Sequence, residues 1–220
     1  MRNSMSRYAK KVLAALKAAY PDADCSLSFR SPLELLVATI LSAQCTDARV
    51  NKVTPQLFRQ FCSVGDYATV PIEQLEESIR TTGFFRNKAK SIQNSCREII
   101  ERFGGQVPDT MEALTSLPGV GRKTANVVLS NGFGRNDGFV VDTHVFRLSH
   151  RLGLVKSKTP DKAEQELMRL FPQIDWRYLS HALILHGRKV CNARKPRCTD
   201  CPLAKVCPKI GIDEGRVQAK

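Results

Sequence analysis

LPGVGRKTANVVL, residues 117–129, sets a proline and two glycines directly before an Arg-Lys pair. Glycine and proline together permit a tight turn whose backbone N–H groups are not shielded by side chains. The turn leads straight into a helix that begins at Arg122. At about 100° per residue, Ala125, Val128 and Leu129 line one apolar stripe, and Lys123 points roughly opposite. The stripe faces a core, and the lysine faces solvent or a cleft. Backbone amides at a helix N-terminus bind phosphate, so Gly119, Val120 and Gly121, with Arg122, form a candidate anion grip. The positive helix end and Arg122 place like charge beside Lys123. A lysine acts as a nucleophile only when neutral. By residue type alone, an ordinary exposed lysine is the competing reading.

Outward from this stretch, helix punctuation recurs and period-two alternation is missing, which predicts an all-α protein. Ser31-Pro32-Leu33-Glu34 is a capping box with proline at the first helical position, opening a helix apolar on nearly every face. Thr46 or Asp47 can cap the next helix, and Pro55 should break or kink it. PIEQLEESIRTTG predicts a helix ending at Gly83, and another runs from about Arg86 to Phe103. Asp109 is placed to cap DTMEALTSL, with Glu112 three residues on. Asp142 precedes a helix ending near Gly153, Thr159-Pro160 opens another, and Asp175 caps WRYLSHALILHGRK. Near the N-terminus Val12, Leu13 and Leu16 stand at helical spacing, and Lys17 interrupts any signal-peptide core.

Lys plus Arg outnumber Asp plus Glu by 34 to 21 in 220 residues, a formal net charge of +13. A globular chain this basic usually meets a polyanion, with nucleic acid the first candidate. The longest apolar run, Leu35 to Leu41, is seven residues, far short of a membrane span. A soluble cytoplasmic protein is expected, with no membrane partner.

Eight cysteines fall into two populations. Cys25, Cys45, Cys62 and Cys96 are scattered, whereas Cys191, Cys198, Cys201 and Cys207 follow C-x6-C-x2-C-x5-C. A reducing compartment disfavours disulfides, so the crowded set asks for a metal. The spacing suits a [4Fe-4S] cube, one thiolate per iron. It has only one C-x2-C where a zinc ribbon normally has two, which leaves zinc open. The loop between the first two cysteines carries Arg194, Lys195 and Arg197, cations that a metal would hold rigidly toward phosphates. Asp142 is a second candidate for chemistry, as a carboxylate that polarises a substrate or shuttles protons. N-capping explains an aspartate in that place equally simply.

Taken together, these segments resemble the helix-hairpin-helix DNA glycosylase superfamily, and within it the iron–sulfur-containing, bifunctional endonuclease III family. LPGVGRKTANVVL is similar to the family hairpin and VDTHVFRL to its catalytic aspartate segment. The four cysteines are similar to its [4Fe-4S] loop, LSAQCTD to a DNA-inserting segment, and LILHGR to the run before the first cluster ligand. The resemblance implies two helical domains flanking a DNA-binding cleft. A six-helix domain with the helix-hairpin-helix would span about 25–136, and a [4Fe-4S] cluster domain would combine 1–24 with 137–220. It implies a monomer acting on double-stranded DNA that carries a damaged base or an abasic site. Such an enzyme removes oxidised pyrimidines of the thymine-glycol type in base-excision repair and cuts the abasic site by β-elimination. Lys123 and Asp142 would be catalytic. Gln44 would enter the base stack, and Ser42, Asp47 and His144 would line or shape the pocket. Cys191, Cys198, Cys201 and Cys207 would hold the cluster.

The sequence departs from the family where Leu-Tyr is common after Gly83: here it is Phe84-Phe85. Phe84 is either a wedge that stacks on bases or a core residue. The loop from Gly134 to Val140 is about one residue longer than is usual. The alternative function is a helix-hairpin-helix DNA-binding paralogue that is non-catalytic or weakly active.

Overall fold

The computed structural model describes residues 5–212, so the outer ends of the expected cluster domain, 1–4 and 213–220, lie outside the described residues. Among the described residues every regular element is helical: α1 (Arg7–Ala19), α2 (Pro32–Leu41), α3 (Asp47–Gln60), α4 (Val64–Thr69), α5 (Ile72–Ile79), α6 (Phe85–Phe103), α7 (Met111–Thr115), α8 (Arg122–Val127), α9 (Thr143–Arg151), α10 (Pro160–Leu170) and α11 (Trp176–Lys189). A 3-10 turn, Arg80–Thr82, follows α5, and another, Gln173–Asp175, precedes α11. Among the described residues no helix is long and apolar enough to cross a membrane. The chain divides into two compact units, Cys25–Asp137 and Met1–Asp24 with Gly138–Lys220.

In the unit Cys25–Asp137, α2 is the central helix. Ser31 caps it by accepting from Glu34 N, Pro32 starts it, and every residue from Leu35 to Leu41 is buried. The return bond of the expected capping box lands one residue early, since Glu34 Oε2 accepts from Arg30 N at 2.6 Å. Thr46, not Asp47, caps α3. The predicted interruption at Pro55 does not end that helix, which continues to Gln60. A mid-helix proline costs about 3 kcal/mol. Beyond it Leu57 and Phe58 are both buried, and each burial returns roughly 1.5–3 kcal/mol. The α7 cap is also corrected: Thr110 accepts from Ala113 N, while Asp109 pairs with Arg135 at 3.2 Å. After α8 the helix widens into a π turn over Val128–Gly132, and Ala125, Val128 and Leu129 are fully buried.

In the other unit, Ser6 caps α1, which buries Ala9, Val12, Leu13 and Leu16. These join Val145 and Leu148 of α9 and Leu179, Ala182 and Leu183 of α11 in one core. Thr159 caps α10, with Pro160 at its first position. Asp175 occupies the cap position of α11 but makes no side-chain cap bond. Its carboxylate instead accepts from Lys17 Nζ at 2.8 Å, so its charge ties α1 to α11.

Candidate functional site

The hairpin is built on α6. Ser95 Oγ donates to Pro118 O at 2.7 Å. Gly119 has φ +75°, and a Cβ there would stand 2.7 Å from both Cβ and Oγ of Ser91. Glycine is therefore required twice over, by conformation and by contact. Gly121 is extended, caps α8 and has open space where a Cβ would project. Arg122 and Lys123 are exposed. Val120 corrects an expectation, because its side chain is 5% exposed and its N–H already donates to Leu117 O at 3.1 Å. The turn thus offers outward the backbone around Gly119 and Gly121, followed by two cations.

The same unit carries Gln44 and Phe84. Both are non-glycine residues at positive φ, 52° and 49°, a conformation that costs about 1–3 kcal/mol and persists only when the surroundings enforce it. Phe84 is 62% exposed, which removes the core reading; Gln44 is exposed too. Phe85 is half-buried beneath the guanidinium groups of Arg80 and Arg86. Ser42 is the C-cap of α2 and its Oγ donates to Thr39 O at 2.8 Å. The Asp47 carboxylate accepts from Ser26 Oγ at 2.6 Å. For Ser42 and Asp47, local structural bonds account for the side chains.

In the unit Met1–Asp24 with Gly138–Lys220, Asp142 caps α9: its Oδ1 accepts from His144 N and Val145 N, both at 2.8 Å. Both bonds fall on one oxygen, so capping and a second duty for Oδ2 are compatible. Burial pushes the pKa of His144 below its usual value, against the pull of Asp142, so the ring is neutral at pH 7. The Arg147 guanidinium donates to His144 Nδ1, Gly187 O and Cys191 O at 3.2, 3.2 and 2.9 Å. Gly187 lies in LILHGR, and a Cβ there would stand 2.9 Å from His144. That glycine lets α11 close on the start of α9.

Cys191, Cys198, Cys201 and Cys207 all line one cavity, with Arg151, His186, Pro196 and Leu203 among its walls. Arg151 donates to Cys191 Sγ at 3.2 Å and to the carbonyls of Asn192 and Ala193 at 2.8 Å each. Lys209 N donates to Cys207 Sγ at 3.4 Å. Burial lowers His186 to about 4. With Tyr20 OH donating to Nδ1 at 2.8 Å, the neutral ring turns Nε2 toward Cys201 Sγ, 3.5 Å away. Burial first, and the charges of Cys191, Cys207 and Cys198 after it, raise Cys201 to about 11 against a backbone hydrogen bond at Leu203. Four thiolates around one cavity need a cationic centre among them. Among the described residues no group of three or more His, Cys, Asp or Glu is placed to hold a metal ion as the side chains stand. A cube asks less, since each thiolate meets a different iron. The residues fit that group: four sulfurs around one cavity, with N–H donors aimed at three of them.

Between the first two cysteines, Arg194 and Lys195 are exposed. Arg197 is exposed as well, but its guanidinium donates back to Lys189 O, so it ties the loop to the end of α11 as well as charging it.

Residues 37–173 match the HhH-GPD superfamily base excision DNA repair protein family. The chain is 56% identical over 205 residues to the endonuclease III of Synechocystis sp., covering 93% of this chain and 94% of that one. A non-covalent endonuclease III–DNA complex superposes with a TM-score of 0.87 at 45% identity, covering 91% of this chain and 94% of that one. A trapped endonuclease III–DNA covalent intermediate does so with a TM-score of 0.86 at 44% identity, covering 91% and 96%. The chain belongs to the HhH-GPD superfamily of base excision DNA repair proteins and, within it, to the endonuclease III family of bifunctional DNA glycosylases and abasic-site lyases. Homologues in this family are generally iron–sulfur proteins.

Sequence reasoning missed Ser91, Ser95, Arg147, Arg151 and the reason for Gly187. A signal existed for the two serines, which lie four apart on α6 upstream of the hairpin. None existed for Gly187, whose partner is 43 residues away in sequence (187 − 144).

Proposed function

We propose that this enzyme excises oxidised pyrimidines of the thymine-glycol type from duplex DNA and cleaves the abasic product, with Lys123 as nucleophile. The neutral Lys123 amine attacks C1′ of the lesion nucleotide, and the C1′–N bond breaks with its electron pair leaving on the base. The C1′–O4′ bond then opens with its electron pair on O4′, which takes a proton, and the resulting iminium at C1′ makes the C2′ proton acidic. Its removal expels the 3′ phosphate as the C3′–O bond breaks, and water releases the lysine. Asp142, through its spare carboxylate oxygen, takes the amine proton and stabilises positive charge developing on the sugar. The backbone around Gly119 and Gly121, with Arg122, grips a phosphate and sets register. Gln44 and Phe84 enter the stack that the flipped base vacates. His144 holds the pocket wall.

Cys191, Cys198, Cys201 and Cys207 would hold a [4Fe-4S] cluster, which when bound cross-links the loop that carries Arg194, Lys195 and Arg197. The protein acts as a monomer in the cytoplasm. The observation that carries this reading is Lys123 exposed at the head of α8, behind a glycine turn fixed to α6 and opposite a fully buried stripe.

Borohydride trapping on a thymine-glycol or abasic duplex tests it. A covalent adduct is expected from the wild type and none from Lys123→Gln. An undiminished adduct in that variant overturns the assignment. No adduct with the wild type favours a DNA-binding protein without lyase chemistry. The cluster is tested by colour: a colourless, stoichiometrically zinc-loaded preparation overturns it.

A further inference from the structure

Lys88 stands in the first turn of α6 and is only 5% exposed. Its Nζ donates to Leu41 O and to Thr82 O, each at 2.8 Å. Leu41 is the last residue of α2, and Thr82 is the last of the 3-10 turn. The amine therefore sits against the carbonyl ends of two helical segments, where positive charge is favoured. Burial pushes its pKa below the usual lysine range, with Cys45 opposing. A buried cation held by neutral carbonyls is a costly way to fill space, and an apolar side chain of the same length would be cheaper.

Each of the two carbonyls stands just upstream of an exposed tip. Gln44 comes three residues after Leu41, and Phe84 two residues after Thr82. These two share the left-handed backbone and the exposed side chain described above. One buried amine thus ties together the roots of two strained, outward-pointing tips.

We propose that Lys88 is a positioning residue that fixes the spacing of Gln44 and Phe84, so that the two side chains enter a duplex as one unit. This rests on the reading of both as strand-inserting residues. It gives the strain at each tip a reason: a tip that relaxed separately would lose register with the other. Strand insertion matters for a lesion inside a duplex and not for an abasic site in single-stranded DNA. Lys88 therefore acts on the first substrate and not on the second.

The experiment is a double-mutant cycle on single-turnover excision of thymine glycol from duplex DNA, using Gln44→Ala, Phe84→Ala and the pair. It is run with Lys88 intact and again in Lys88→Met, with β-elimination of single-stranded abasic DNA alongside. With Lys88 intact, the pair should lose less than the product of the single losses, by about tenfold. In Lys88→Met the losses should multiply, duplex excision should fall about tenfold, and single-strand elimination should be unchanged. Wild-type duplex excision and coupling in Lys88→Met overturn the proposal. Failure of Gln44→Ala and Phe84→Ala to affect duplex excision overturns the strand-insertion reading itself, a distinguishable result. If Lys88→Met does not fold by circular dichroism, Lys88→Gln replaces it. Its amide is too short to reach both carbonyls, and the same results support or overturn the proposal.

Discussion

Gly187 of α11 lies so close to His144 of α9 that a methyl group on it would stand 2.9 Å from both Cβ and Nδ1 of the histidine. The same methyl would be 3.2 Å from the Arg147 guanidinium. Arg147 in turn holds Gly187 O and Cys191 O. One absent side chain therefore lets the aspartate end of α9, the last turns of α11 and the first cysteine of the loop share a single network.

Gly187→Ala should break that network. Two packed helices must separate or His144 must leave its rotamer, at a cost of about 1–3 kcal/mol. Thermal unfolding should show the loss, and single-turnover excision should slow because Asp142 is carried on the displaced end of α9. Unchanged stability and rate together would mean that the helices absorb the methyl elsewhere.

The hairpin glycines should separate folding from binding. Gly119→Ala meets both a positive φ and the Ser91 side chain at 2.7 Å, so it should destabilise the free protein and weaken DNA binding. Gly121→Ala has an ordinary φ of −85° and open space. It should leave the melting temperature nearly unchanged yet weaken binding to abasic-site duplex, because the added methyl stands where a phosphate must approach. Equal stability losses for the two would remove the phosphate-grip reading of Gly121.

The all-helical fold was legible in the sequence because caps and apolar stripes are local signals. Ser31, Thr159 and the Ala125–Val128–Leu129 stripe act as read. Errors arose where a side chain had a distant partner. Asp109 is drawn off by Arg135, and Asp175 by Lys17, so neither caps its helix with its side chain. Pro55 misled because burial of Leu57 and Phe58 outweighs one lost backbone bond. Lys88 was legible in principle, since it lies four residues before Ile92 on the buried face of α6, where a lysine is out of place. Its two carbonyl partners were not, because each ends a helical segment whose following turn passes through a non-glycine residue at positive φ, Gln44 or Phe84.

Alkaline stability should report Cys96. Burial raises this thiol from 9.0 to about 12, so as pH rises the unfolded chain loses its proton first. The unfolded state then binds fewer protons than the folded one, and stability falls between about pH 9 and 12. The span corresponds to roughly 4 kcal/mol at most. Tyr178, raised from 10.0 to about 12, bends the curve the same way from a higher pH. Denaturant titrations at stepped pH should show a shallower alkaline decline in Cys96→Ala, whatever its absolute stability. A decline as steep as wild type would mean that Cys96 ionises in the folded state as freely as in the unfolded.

The cations of the cysteine loop should differ in what they contribute to DNA affinity. Arg194 and Lys195 are exposed, and each is free to neutralise a phosphate and release a counterion. Arg194→Ala and Lys195→Ala should each weaken binding evenly across DNA sequences. Each should also lower the slope of log K against log salt by about 1, read from fluorescence anisotropy. Arg197 spends its guanidinium on Lys189 O, at the end of α11. Arg197→Ala should therefore reduce affinity by loosening the loop, with a fall in thermal stability that the other two variants do not show. A full unit of salt slope lost in Arg197→Ala at unchanged stability would reverse that assignment and make Arg197 a phosphate contact like its neighbours.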